Sequence, residues 1–337
     1  MYLPEKLGRE FLPNLLKRSD FLVYLMNSPR VIVLILSFNG KLLLDDSIAT
    51  YLANDYPKFS VVVIDNGSTD GSREYIEQNY PKVKVLRTEV NLKYSGGFNF
   101  GMQYAFNEKN ADYVLVTNND VKADSRVISE LVKTAETDPM IGFVTGKVYY
   151  FDRPDMLQTV GKHEDPIRWN GEHIGNREKD SGQYDRVAER VFADDIFTLV
   201  RRSVYEKLGG YDTTFAFQAE EYDWQARAKK LGFKIYYTPF AKIWHKESMT
   251  IGKNSAFKAY YDARNPMLVI LKHKSADFFR VYFWYHFKRG VFRTSLISLK
   301  QLKPAVFFAI WRGFISGLFW GFSNKRFSTN HFFKLSK

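Results

Sequence analysis

The chain has 337 residues, 45% of them apolar and 26% charged, which suits one large globular domain with an appendage, or two domains. It contains no cysteine, so disulfides, thiolate metal sites and cysteine nucleophiles are excluded, which fits a reducing compartment. The net charge of +12 is uneven: residues 251–337 hold 16 Lys and Arg against only Asp262 and Asp277, so a nearly neutral body precedes a basic tail.

Residues 1–29 place Leu7, Phe11, Leu15, Leu22 and Leu25 at roughly helical spacing, which predicts an amphipathic helical extension without the pattern of a signal peptide. The run "VIVLILSFN" (31–39) is continuously apolar and β-branched, the mark of a strand buried on both faces. A helix over about 41–54, the strand "FSVVVID", a helix over 70–79, the strand "KVKVLRT", a helix over 97–109 and the strand "DYVLVTNND" follow. Strands alternating with helices of this length predict βαβ units and a parallel sheet, an α/β fold.

Three of these strands end in polar residues: Ser37-Phe38-Asn39, Asp65-Asn66-Gly67-Ser68 and Asn118-Asn119-Asp120. In open α/β sheets the ligand crevice lies beyond the carboxyl ends of the strands, so three such ends together predict a site where any one alone reads as a turn. Between them, "NLKYSGGFNFGM" (91–102) brings Gly96, Gly97 and Gly101 to a helix start, where free N–H groups suit phosphate. It is neither G-x-G-x-x-G nor a Walker A loop, which argues against a dinucleotide-binding or ATPase site.

Further on, Glu220, Glu221 and Asp223 crowd the start of a helix predicted to run to about Leu231. They read either as acids complementing the helix dipole or as a general base, since crowded carboxylates raise one another's proton affinity. His245 ends a short strand in the same half. Segment 152–190 reads as a loop-rich insertion with His163 and His173 on its surface, and Asp194-Asp195 follow it.

In order, "LSFN", "VVVIDNGSTDGS", "NLKYSGGFNFG", "TNNDV", "LVRRSVYEKLGGYD", "EEYD" and "WH" resemble the family 2 glycosyltransferases, inverting enzymes of the GT-A fold, and among them the rhamnosyltransferase-like bacterial members. "YYDARN" (260–265) is similar to the segment that follows the catalytic domain there. The resemblance spans about 31–270 and implies a catalytic domain over 30–250 with a helical, basic and aromatic region over 251–337.

Carried over by position, it implies that Ser37, Asn39, Asp65 and Asn66 line the nucleotide, and that Gly97 and Asn99 lie against the donor. Asn118, Asn119 and Asp120 stand for the DXD motif. Asp120 would hold Mg²⁺ or Mn²⁺, and His245 takes the place of a second metal ligand. Glu221 matches the catalytic base. Glu220, beside it, and Trp224 are placed on the acceptor side, and Asp195 by its position either faces the acceptor, the reading favoured, or caps a turn. Departures are Asn118 where Asp is frequent, Glu221 where Asp is usual, and Lys93 and Phe98 in a loop otherwise richer in Gly and Asn.

The tail offers "AVFFAIWRGFISGLFWGF", 18 residues with Arg312 in the middle, short of the roughly 20 apolar residues of a span. Over 278–326 it reads instead as amphipathic helices lying on an anionic membrane surface, with helices packed on the body as the alternative. That would place the protein in the cytoplasm, peripheral on the inner face of the cell membrane, with a nucleotide-diphospho-sugar donor and a lipid-linked saccharide acceptor and no nucleic-acid partner. An oligomer stays open. Rhamnose from dTDP-rhamnose is the donor the resemblance favours. A nucleotidyltransferase would show a basic, Gly-rich loop after the first strand, which "SFNGKLLLDD" is not; a non-catalytic scaffold would not keep Asp120, Glu221 and His245 together.

Overall fold

A computed structural model describes residues 28–246 and 255–324, so all but the end of the helical extension expected over 1–29 lies outside the described residues. The chain alternates β1 (Val31–Ser37), α1 (Leu44–Leu52), β2 (Phe59–Asp65), α2 (Ser72–Asn79), β3 (Lys84–Arg87), α3 (Lys93–Gln103) and β4 (Tyr113–Asn118). β1, whose residues are buried but for part of Leu36, lies between β2 and β4, and all three run parallel, as an uninterrupted apolar run with helices on both faces requires.

The second half is more varied: β5 (Val121–Ala123), α4 (Val127–Ala135), β6 (Ile141–Tyr150), four short strands in the insertion, then β11 (Phe197–Arg201), α5 (Arg202–Leu208), α6 (Glu220–Lys230) and β12 (Lys234–His245). The insertion strands are β7 (Leu157–Thr159), β8 (Lys162–Asp165), β9 (Trp169–His173) and β10 (Ala188–Glu189). β11 enters antiparallel between β4 and β6, giving the mixed order β10-β12-β6-β11-β4-β1-β2-β3. β8 and β9 form a separate hairpin, so the expected loop-rich insertion carries more ordered pairing than its composition suggests.

Register fixes the site. Ser37 pairs with Asp65, and Leu36 with Asn118, so the polar ends of β1, β2 and β4 meet at one sheet edge. α3 begins at Lys93 rather than near residue 97, because Asn91 Oδ1 accepts the Lys93 N–H and Asn66 donates to the Lys93 carbonyl. The two glycines therefore sit inside the first turns. A Cβ on Gly97 would stand 2.5 Å from Leu36 Cδ1 and 3.1 Å from Asn66 Nδ2, so only glycine lets α3 approach the strand ends this closely.

Among the described residues the tail forms four α-helices, α7 (Ala256–His273), α8 (Ala276–His286), α9 (Thr294–Lys300) and α10 (Pro304–Ser323), with a π-helical stretch between α8 and α9. α7 and α10 pack through glycines: a Cβ on Gly313 would meet the Tyr260 carbonyl at 2.1 Å. Met267, Leu268, Ile310 and Phe314 share one apolar cluster with Phe192, Phe215 and Ala219 of the body. Beneath α6, Asp223 lies fully buried against Lys272 Nζ at 2.7 Å, His273 Nε2 at 2.8 Å and Arg227 Nε at 2.8 Å, and Lys272 also reaches Asp212 at 2.6 Å. Burial would raise Asp223, but the surrounding cations hold it far below the usual carboxylate range.

Candidate active site

A cavity of about 500 Å³ opens at the ends of β1, β2 and β4. Asn66, Asn118, Asn119, Asp120 and His245 line it, all expected there from the sequence. Ser37 is buried directly behind and accepts a hydrogen bond from Asn119 Nδ2 at 3.2 Å. Asp65 is a further layer back, fully buried, where it takes Arg87 Nη1 at 2.9 Å and the Ser68 N–H at 3.0 Å, so it shapes the turn rather than the cavity.

Asp120 and His245 meet because β5 pairs with β12, setting His245 opposite Val121. His245 Nδ1 lies 2.9 Å from Gln158 Oε1, an acceptor, so the proton sits on Nδ1 and Nε2 turns its lone pair outward. That Nε2 is 3.2 Å from Asp120 Oδ1, a buried oxygen with no hydrogen-bond donor. Two lone-pair atoms this close, with one imidazole oriented from behind, fit a divalent cation. Mg²⁺ or Mn²⁺ accepts such a nitrogen and oxygen set when phosphates and water supply the other ligands.

Three sequence expectations are corrected. Trp224 is 1% exposed, its ring against Phe143 and Tyr211 and its indole N–H on the Gly209 carbonyl, so it is core and meets no acceptor. Asn99 spends both amide atoms on the Tyr211 backbone at 2.9 and 2.8 Å and does not reach the cavity. Asn39, left-handed at φ 49°, takes the Thr69 N–H at 2.8 Å and braces the β2 turn outside the cavity. His173, read as a surface residue, keeps a third of its side chain exposed and pairs with Asp194 Oδ2 at 3.1 Å.

The acids do assemble. Asp195, Glu220 and Glu221 bring one oxygen each within 4.8 Å of one another. Burial pushes Asp195 up to about 6, with Tyr211 pulling down and the charge of Asp194 adding to the rise. Burial, then the charges of Glu221 and Asp195, raises Glu220 well above the ordinary range. Burial and Asp195 do the same for Glu221, partly offset by Lys162. Asp194 goes the other way: Lys162 and His173 overcome its burial and hold it ionised. Tyr94 joins the two halves, lining the cavity while its hydroxyl donates to the Asp195 carbonyl at 3.2 Å.

Residues 32–209 match the model of glycosyl transferase family 2. The chain belongs to that family. Within it, this protein is 28% identical over 226 residues to the N-acetylglucosaminyl-diphospho-decaprenol L-rhamnosyltransferase of Mycobacterium tuberculosis, covering 61% of this chain and 72% of that one. Its fold is similar to the mannosyltransferase PcManGT of Pyrobaculum calidifontis, in complex with GDP-Man and Mn²⁺, at TM-score 0.52 and 14% identity, covering 87% of this chain and 88% of that one. It is also similar to GalNAc-T7 with UDP, GalNAc and Mn²⁺, at TM-score 0.55 and 16% identity over 80% of this chain and 58% of that one. This family 2 glycosyltransferase thus has the GT-A fold, with C-terminal helices added.

The sequence missed Asn91, Tyr94, Phe217 and Gln218, and from the tail Ser255, Phe257 and Lys258, all of which line the cavity. Lys93, visible only as an oddity of its loop, lines it too, held left-handed at φ 64° with its ammonium 5.6 Å over the Phe257 ring. No local signal marks Phe217, Gln218, Ser255, Phe257 and Lys258, because only the packing of α7 and the turn before α6 brings them to the strand ends, whereas Asn91, Lys93 and Tyr94 lie within the Gly-rich segment already singled out.

Proposed function

We propose that the protein transfers a sugar with inversion, with L-rhamnose from dTDP-rhamnose as the favoured donor, to a lipid-linked saccharide in bacterial envelope polysaccharide synthesis. The observation that carries the reading is the facing pair of lone-pair atoms on Asp120 and His245 at the floor of a cavity lined by asparagines. The rhamnosyl specificity and lipid-linked acceptor rest on the name of the mycobacterial relative. Asn66, Asn118 and Asn119 bind the donor, with Lys93 and Lys258 adding positive charge to the cavity wall.

When bound, Mg²⁺ or Mn²⁺ neutralises charge growing on the leaving diphosphate. Glu221 takes the proton of the acceptor hydroxyl as its oxygen bonds to the anomeric carbon and the glycosyl–phosphate bond breaks, its electron pair passing to phosphate. One displacement inverts the centre, and one base suffices. Screening UDP-, dTDP- and GDP-sugars by thermal shift with Mn²⁺ tests the donor, since a selective ligand at 100 times its Kd stabilises by about 2.7 kcal/mol. dTDP-rhamnose should shift the melting temperature most; no shift with any nucleotide sugar sinks the donor reading.

The protein also sits, we propose, on the inner face of the membrane. Among the described residues, Pro304–Ser323 is long and apolar enough to cross a bilayer by length and composition. Its Arg312 is exposed, and α8 to α10 present Trp284, Phe308, Phe319 and Phe322 to solvent beside Arg280, Lys288, Arg289 and Lys300. Aromatic side chains with flanking cations suit an anionic interface. The protein should sediment with phosphatidylglycerol vesicles, release with salt, and ignore phosphatidylcholine. Equal recovery in the supernatant with both lipids would rule the membrane reading out.

A further inference from the structure

The turn that leads into the base helix is strained, and one buried amide from the tail holds it. Gln218 and Ala219 are consecutive, neither is glycine, and both are left-handed at φ 69° and 71°. Side-chain-bearing residues occupy that region only where the surroundings impose it. Ala219 is the N-cap of α6, with no side-chain cap, and the next two residues are Glu220 and Glu221. On the other side, Phe217 and Gln218 line the donor cavity. The same turn, Phe217 to Ala219, therefore sets both a wall of the cavity and the place of the base.

Asn265 of α7 is fully buried and donates from Nδ2 to the carbonyls of Phe217 at 2.7 Å and Gln218 at 2.8 Å. Its Oδ1 accepts Arg264 Nη1 at 2.7 Å, which fixes which way the amide faces, and Arg264 Nη1 also reaches the Thr214 carbonyl at 3.0 Å. Both Nδ2 hydrogens are thus spent on the backbone of the strained turn. Among the described residues, no other side chain donates to these two carbonyls.

We infer that Asn265 is a positioning residue for catalysis: it stabilises the left-handed Gln218–Ala219 turn and so fixes Glu221 in place at the start of α6, beside the cavity wall that Phe217 and Gln218 form. The inference rests on the reading of Glu221 as base. It gives the "YYDARN" segment a part in the reaction although the segment lies outside the sheet domain.

The test pairs Asn265→Ala with a compensating change. Asn265→Ala should lower kcat by about 10²-fold, the cost of a small misplacement of a reacting group. Glycine adopts positive φ without a Cβ clash, so adding Ala219→Gly should restore most of that loss, which a merely structural role would not predict. Amide exchange at residues 219–223 should quicken in Asn265→Ala and slow again in the double variant, and this reads the clamp whether or not a donor is known. Wild-type turnover with unchanged kcat in Asn265→Ala overturns the inference alone. So does a double variant that stays inactive or does not fold. Wild type inert towards every nucleotide sugar, with exchange behaving as expected, instead overturns the assignment of Glu221.

Discussion

Glu221→Gln should keep donor binding and lose turnover, with kcat falling by about 10²–10⁴-fold, the range a positioned general base supplies. The substitution preserves volume and leaves Asp120 and His245 untouched, so the thermal shift with donor and Mn²⁺ should match wild type. Retained turnover would remove Glu221 as base and point to Asp195 or Glu220. In wild type, kcat should rise with pH along a limb displaced above the ordinary carboxylate range, because burial and the charge of Asp195 raise Glu221. The same crowding acts on stability. Carboxyls whose folded proton affinity is raised stabilise the fold below their unfolded pKa and lose that contribution as pH rises through the folded value. Asp195, pushed up to about 6, starts that loss. Glu221→Gln should therefore melt higher than wild type at pH 8 and not at pH 4, a stability gain at the expense of activity.

Asp120→Ala should lower kcat by about 10³-fold or more, since metal charge stabilisation is worth several kcal/mol and each 1.4 kcal/mol is tenfold. It should also abolish the Mn²⁺ dependence of nucleotide-sugar binding, measured by calorimetry with and without chelator. His245→Gln, which keeps a nitrogen or oxygen near Asp120 Oδ1, should lose less. If Asp120→Ala still binds donor in a Mn²⁺-dependent way, the cation lies elsewhere and the pair at 3.2 Å is only a buried polar contact.

What could be read in advance follows a physical line. Strand-end residues are legible because an apolar run and its polar stop are local, and parallel register then brings Asn66, Asn118 and Asp120 together without further information. Glu220 and Glu221 are legible because helix-start acids have a position as well as a charge. Asn99 and Trp224 misled for the converse reason. Asn99 stands on a helix that does pass the cavity, but its side chain turns towards Tyr211, and only the fold says where Tyr211 is. Trp224 is one turn beyond Glu221, so helical spacing sets it beside the acids, yet its ring packs into the core against Phe143 and Tyr211, which only the fold brings there. Lys258 and Phe257 enter the cavity from a helix some 140 residues beyond Asn118, a juxtaposition no spacing rule encodes.

The buried cluster of Asp223, Lys272, His273, Arg227 and Asp212 has a bearing on how this enzyme can be handled. A shortened chain made to remove the exposed aromatic helices would end near α7, and any cut that loosens Lys272 and His273 leaves Asp223 ionised in the core with Arg227 alone. Severing a buried pair costs about 3–5 kcal/mol, a large part of a domain's whole stability. Truncation would thus confuse detachment from a membrane with unfolding of the base helix. A soluble and active form is better sought by exchanging Phe319 and Phe322, 68% and 73% exposed, for polar residues while the chain is left whole.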